Sequence, residues 1–132
     1  MRAFCARMGA TVPQRKALVL KASRILLSEK PLPERLQAFL EALLEGPFPI
    51  RSGKLYLRKG EGLRLVAQLG GEAGGEEVAL SLEGGGRALG RLSLRLAPAA
   101  SLAPEDRLAL EEAAGILALA LLRERAERAE RV

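Results

Sequence analysis

The sequence of 132 residues contains no histidine, no tryptophan and no asparagine, and it has one cysteine, Cys5, and one aspartate, Asp106. Without histidine, the usual serine and cysteine triads, imidazole metal ligands and a haem-binding histidine are excluded. A single cysteine cannot form an internal disulfide. It indicates a reducing compartment, and the cytoplasm is the expected location. We therefore expect no metal site and no cofactor, and we expect that the protein is not an enzyme.

Long apolar runs are also missing. The longest one, residues 113–122, is shorter than the about 20 residues that span a membrane, so we expect no membrane segment. Hydrophobic residues make up 48% of the chain and charged residues 28%, which is enough apolar material for one folded core. We assign residues 1–10 to a mobile N-terminal tail and residues 11–132 to a single domain. The excess of arginine over lysine is typical of GC-rich coding or of a thermophile-like composition.

Three segments have the periodicity of helices. Residues 11–28 begin with a capping box formed by Thr11 and Gln14, and residues 33–45 repeat leucine and phenylalanine at helical spacing. Residues 105–131 open after a proline with two acidic residues, which suit the positive end of a helix. The middle of this last helix is apolar all round. That pattern indicates a second contact besides a sheet, with another helix or with a partner chain.

Between residues 52 and 96 the hydrophobic period changes to two, which predicts four antiparallel strands joined by glycine-rich turns. Each strand has one leucine-rich face and one polar face, and Gly90 marks a β-bulge. The predicted fold class is α+β, an antiparallel sheet of four to five strands with the N- and C-terminal helices packed on one face. The glycine clusters at residues 70–75 and 84–86 do not match a phosphate-binding loop, because no Lys-Ser/Thr pair and helix follow them.

The order of these elements resembles a GAF domain. The likeness is carried by residues 78–127, VALSLEGGGRALGRLSLRLAPAASLAPEDRLALEEAAGILALALLRERAE; a PAS- or profilin-like sheet is the alternative. The resemblance implies a dimer formed through a helical bundle and a ligand pocket on the opposite face of the sheet. Only residues 70–77 replace the insertion that roofs this pocket in the family, so we expect a shallow pocket or none. In the family, bilin attachment and haem binding need cysteine or histidine within the domain, and sulfoxide reduction needs cysteines near the sheet; Cys5 lies outside the domain.

The polar face of the sheet is the candidate binding site. The alternation places nine polar side chains there and no carboxylate among the central positions: Lys54, Tyr56, Arg58, Arg64, Gln68, Ser81, Arg91, Ser93 and Arg95. Such a face attracts an anion; the alternative is a plain solvated sheet face, on which long arginine side chains cover apolar surface. The predicted ligand-binding residues are Tyr56, Arg58, Arg64, Arg91 and Arg95. Nucleic acid is disfavoured as a partner, because Tyr56 is the one stacking aromatic on this face.

The terminal helices are the candidate dimer interface. We expect a homodimer with four central residues: Leu18, Ile25, Leu117 and Leu121. The protein is therefore interpreted as a non-enzymatic regulatory or protein-interaction module of GAF-like type, with a role in signalling. The alternatives are a sensor that binds an anionic, nucleotide-like small molecule on the basic sheet face, and a nucleic-acid-binding protein. The expected partners are a second copy, another protein or an anionic small molecule.

Overall fold

The computed structural model describes residues 10–71 and 74–131, with side chains up to residue 127. Three helices and four strands form in the predicted order. In chain order the elements are α1 (Val12–Leu26), α2 (Leu32–Glu45), β1 (Ile50–Lys59), β2 (Gly62–Leu69), β3 (Glu77–Gly84), β4 (Arg87–Leu96) and α3 (Pro104–Arg131).

The four strands form one antiparallel sheet in the order β2-β1-β4-β3, so β1 and β4 are central. The predicted α+β fold class is confirmed. All the helices lie on one side of the sheet: α2 packs on β1 and β2, and α3 packs mainly on β3. Helix α1 packs against α2 and α3, so it reaches the leucine face of the sheet through the other two helices.

The capping box at the start of α1 is confirmed. The Thr11 hydroxyl oxygen accepts a hydrogen bond from the Gln14 backbone N–H at 3.3 Å, and the Gln14 side chain accepts one from the Thr11 backbone N–H at 2.8 Å. At the other end of α1, Arg35 donates to the carbonyl oxygen of Leu26 at 3.0 Å and to the Glu124 carboxylate at 3.1 Å. The guanidinium group of Arg35, near the start of α2, therefore contacts both the end of α1 and the C-terminal part of α3.

The residues predicted to form the dimer interface lie in the core of the chain itself. Leu18, Leu117 and Leu121 are 4%, 0% and 5% exposed, and Ile25 is half-buried against the same core. Leu18, Leu117 and Leu121 are therefore not available as the centre of an interface with a second copy, and for these three residues the prediction is wrong. The physical reason is that α3 lies between the sheet and α1, so the helix that satisfies its second apolar side belongs to the same chain.

Three β-bulges change which face the side chains occupy. In the pairing of β1 with β4, Arg51 is the extra residue between the partners of Leu96 and Arg95. In the pairing of β3 with β4, Leu89 is an extra residue between the partners of Leu82 and Glu83, so the bulge lies next to Gly90. In the pairing of β1 with β2, Val66 is the extra residue. Beyond Val66 the strand has changed face, because a bulge places two residues opposite one.

One buried acidic side chain anchors the N-terminal end of the described chain. Asp106, in the first turn of α3, is 2% exposed and accepts hydrogen bonds from the Ala10 backbone N–H at 3.2 and 3.3 Å. Arg15 donates to the same carboxylate at 3.3 Å and also to the Ala10 carbonyl oxygen. Ala10 is therefore part of the packed domain rather than of the predicted tail. The rest of that tail, residues 1–9 with Cys5, falls outside the described residues.

Candidate functional site

The outer face of the sheet, opposite the helices, carries an open recess of about 680 Å³. Its floor is formed by β1 and β4, and its rim by the end of β2 and the beginning of β3. We call it the outer recess. Its polar side chains are Ser52, Lys54, Tyr56, Gln68, Glu77, Ser93 and Arg95.

The strand register fixes which side chains of the outer face are neighbours. Residues directly opposite each other in an antiparallel pair point to the same side of the sheet, about 5 Å apart. Each cation of β1 and β4 therefore has known neighbours on the adjacent strands. The register gives three rows: Ser52–Arg95–Glu77, Gln68–Lys54–Ser93–Ala79 and Leu65–Tyr56–Arg91–Ser81.

Glu77, the first residue of the edge strand β3, places a carboxylate at the rim of this face that the alternation did not include. The Ser93 hydroxyl donates a hydrogen bond to Glu77, and an Arg91 Nη2 lies 4.0 Å from its Oε1. The hydrogen bond from Ser93, aided by the charges of Arg95, Arg91 and Lys54, holds the pKa of Glu77 below its usual 4.5. Glu77 is thus ionised at neutral pH, and these contacts weaken only as the pH falls through its lowered pKa.

The structure separates the five residues predicted to bind a ligand. Tyr56 and Arg95 line the outer recess, and Arg91 lies opposite Tyr56 on the same face but outside the lining of the recess. Arg58 is six positions from Ser52 along β1, on the order of 20 Å in an extended strand. One small molecule in the outer recess therefore does not contact all five.

Arg64 lies on the wrong side of the sheet for the predicted site. The bulge at Val66 sets Arg64 opposite Leu57, whose side chain packs on the helix side, and it sets Leu63 opposite Arg58. The prediction that Arg64 shares the outer face is wrong for this reason. In its place the outer recess contains Lys54, which the alternation put on this face, and Glu77, which it did not.

A second surface feature lies on the helix side. Helices α1 and α3 run parallel, because Arg15 near the start of α1 contacts Asp106 and the end of α1 lies near Glu124. The outward sides of these two helices expose five large apolar side chains, between 53% and 67% accessible. This apolar helix face consists of Val12, Leu20, Leu27, Leu108 and Leu119.

No group of acidic or cysteine side chains in the described ranges is placed to bind a metal ion. Nor does any helix in those ranges have the length and apolarity needed to cross a bilayer. The cytoplasmic location stays a prediction.

The sequence matches no protein-family model and no curated protein. Solved structures do match over most of this chain. The GAF domain of a phosphoenolpyruvate-protein phosphotransferase from Coxiella burnetii superposes with a TM-score of 0.75 at 14% identity, covering 91% of this chain and 99% of that one. The chain has the GAF fold. The same fold occurs in the GAF domain of a protein assigned as a sensor histidine kinase in Pseudomonas syringae pv. tomato, at a TM-score of 0.72 and 19% identity over 89% and 93% of the two chains.

Enzymes are also among the structures that share this GAF fold. The free methionine-R-sulfoxide reductase of Neisseria meningitidis, solved with its substrate, matches with a TM-score of 0.74 at 18% identity over 89% of this chain and 95% of that one. The expectation that the chain is not an enzyme is contradicted by this finding, because catalysts are built on the same fold. At such identities the likeness shows the fold alone.

Proposed function

We propose that this GAF-fold chain is a sensor domain that binds an anionic small molecule in the outer recess. The observation that carries the proposal is the pair of cations, Lys54 and Arg95, in a recess of about 680 Å³, a volume within the usual range of small-molecule sites. GAF domains of a phosphotransferase and of a protein assigned as a sensor kinase have the same fold, as does a reductase solved with its substrate. These neighbours support a regulatory role.

The charges of the outer recess define the chemistry of the ligand. Lys54 and Arg95 supply two positive charges against the single carboxylate of Glu77, so the recess attracts a carboxylate or phosphate group. The ring of Tyr56 provides an apolar surface for the organic part of the ligand. Glu77 can accept a hydrogen bond from a donor such as an amino group, which favours a ligand that carries both an anion and a donor.

The fluorescence of Tyr56 provides a direct test. Tyr56 is the only tyrosine and the chain has no tryptophan, so tyrosine emission reports the outer recess alone. We expect titration with a non-absorbing anion of the right class to change this emission; the first panel contains phosphate, succinate and free methionine-R-sulfoxide. Lys54→Gln removes one charge-assisted contact and should weaken binding at least about tenfold, since such bonds contribute about 1.5–3 kcal/mol.

Lys16→Gln is the matched control, because Lys16 is an exposed lysine on α1 and the charge change is identical. It should bind as the native protein does. Binding by the native protein should also weaken as the salt concentration rises. The proposal is wrong if millimolar anions leave the emission unchanged, or if Lys54→Gln and Lys16→Gln behave alike.

We further propose that the chain forms a homodimer through the apolar helix face. This face replaces the buried leucines of the original prediction. Five large apolar side chains are exposed on the two adjacent parallel helices and at the C-cap of α1, and exposed apolar surface marks interaction sites where it is contiguous. A second copy related by a two-fold axis would bring α1 and α3 of both chains together as four helices.

Leu119→Glu is expected to convert the dimer to monomer, because it places a charge on the most exposed leucine of the apolar helix face, which is 67% accessible. Sedimentation velocity measures the mass directly. Leu63→Glu is the matched control, since Leu63 is 52% exposed on β2, away from the helices, and it should leave the dimer intact. A native protein that sediments as a monomer at 100 µM, on the order of a weak dimer's dissociation constant, would refute the dimer.

A further inference from the structure

A second recess, of about 420 Å³, lies at the end of the sheet where β1 turns into β2. Three arginine side chains from three different elements line it: Arg58 of β1, Arg87 of β4 and Arg125 of α3. We call it the arginine recess. It shares no lining residue with the outer recess.

The backbone around the arginine recess holds the side chain of Arg58 and sets the position at which Arg87 begins its strand. The Arg58 Nε donates a hydrogen bond to the Gly60 carbonyl oxygen at 3.2 Å, within a turn in which Gly60 has a φ of 62°. Arg87 is the first residue of β4 and directly follows Gly86, which has a φ of 75°. Both glycines adopt the left-handed conformation that other residues disfavour. The two turns therefore determine the backbone positions of Arg58 at the end of β1 and Arg87 at the start of β4.

The three arginines of the recess belong to the seven, of twelve arginines with described side chains, that form no ion pair. Five arginines form ion pairs with carboxylates: Arg15, Arg35, Arg91, Arg107 and Arg123. Among the side chains that the structure describes, no carboxylate forms such a pair with Arg58, Arg87 or Arg125. None of the residues that line the arginine recess is acidic either. The recess therefore holds three positive charges that have no ion-pair partner among the described side chains; Glu124 lines an adjoining recess together with Arg58 and Arg125.

Like charges repel each other most strongly within the screening length of about 8 Å at physiological salt, so three cations that line one recess of about 420 Å³ disfavour one another. A bound anion relieves this repulsion. Guanidinium groups donate two parallel hydrogen bonds to the oxygens of a phosphate group, and three of them balance more negative charge than a single monoanion carries. We propose that the arginine recess binds a diphosphate group. This site is independent of the outer recess and of the proposed sensor function.

A bound diphosphate would connect two layers of the fold. Arg58 and Arg87 belong to the sheet, whereas Arg125 belongs to the last turns of α3. An anion held by all three joins the end of α3 to the sheet. The expected consequence is slower backbone hydrogen exchange in residues 122–131 when diphosphate is present, because local opening of the helix end would break these contacts.

Isothermal titration of the full chain with inorganic diphosphate tests the proposal. We expect one site per chain, and we expect Arg87→Gln and Arg125→Gln each to weaken binding at least tenfold. Both side chains are exposed, so these variants should fold as the native protein does. Arg24→Gln is the matched control: it removes an exposed arginine of α1 and should bind diphosphate normally. Slower exchange in residues 122–131 of the native protein, but not of Arg125→Gln, would support the site further.

Four results would overturn the proposal. The first is no heat of binding at millimolar diphosphate, and the second is an equal loss of affinity in Arg24→Gln. The third is diphosphate binding that survives both recess variants and changes the Tyr56 emission, which would assign the anion to the outer recess instead. The fourth is binding of a single-stranded oligonucleotide that depends on Arg87 and Arg125, by a protein that does not bind diphosphate.

Discussion

Gly90→Ala is expected to lower the free energy of unfolding by about 4 kcal/mol or more, which places it among the most damaging single substitutions. A Cβ atom at Gly90 would lie 2.2 Å from the carbonyl oxygen of Tyr56 and 3.2 Å from the Cα of Leu57. Both are backbone atoms of β1. They cannot rotate away as a side chain would, so relief requires that the two central strands separate.

The effect is large because the clash falls in the middle of the sheet. Gly90 is paired with Leu57 of β1 and with Leu82 of β3, so moving it disturbs two ladders at once. A loss of this size is a large part of the 5–15 kcal/mol that stabilises a typical domain. We expect the Gly90→Ala protein to be insoluble or to unfold at a much lower urea concentration than the native protein. Far-UV circular dichroism measures this unfolding.

Gly62→Ala is the matched control for this prediction. Gly62 begins β2, and a Cβ atom there meets no other atom within 4 Å. It makes the same chemical change in the same sheet without the close approach, and its urea midpoint should stay near that of the native protein. Similar midpoints for Gly90→Ala and Gly62→Ala would show that β1 and β4 do not approach each other as described.

The sequence predicted the elements well where the signal is local. The capping box of Thr11 and Gln14 involves residues three positions apart, and its two hydrogen bonds form as expected. The alternation of leucine in β4 likewise put Leu92, Leu94 and Leu96 in the core. Such patterns need no knowledge of distant contacts, because each is set by the geometry of a single helix or strand.

The composition of the candidate site was harder to predict, because one residue can invert a face. The extra residue Val66 does not disturb the alternation of apolar and polar residues in β2. Its bulge nevertheless places Leu65 on the outer face of the sheet and Arg64 on the helix side. Only the pairing with β1 reveals the bulge. Glu77 is one of two adjacent glutamates, a pattern typical of plain surface charge, and its position beside Arg95 depends on the register of β3 with β4.

The apolar pattern of α3 had two possible explanations, another helix or another chain. Pattern alone cannot separate them, since either partner buries the same leucines. The packing of α1 on α3 accounts for Leu117 and Leu121 within the chain. The residues left for a second copy are Leu108 and Leu119, which stand on the other side of the same helix.

Asp106→Ala is expected to destabilise the fold by about 2–4 kcal/mol, the range for breaking a buried, hydrogen-bonded charge pair. The change removes the acceptor of the Ala10 backbone N–H and the carboxylate partner of Arg15. It also removes a negative charge from the first turn of α3, where the helix dipole favours one. Asp106→Asn should cost less, because the amide oxygen can still accept from Ala10 while the charge is lost.

A double-mutant cycle with Arg15→Ala separates the ion pair from the other roles of Asp106. Arg15→Ala alone leaves the carboxylate buried without its cation, whereas the double variant leaves neither charge. The double variant should therefore be more stable than the sum of the single changes predicts, by about 1 kcal/mol or more. Urea unfolding of the four proteins measures this coupling. Strict additivity would mean that Asp106 acts through Ala10 and the helix end alone, and that Arg15 does not help to hold the start of α1 against α3.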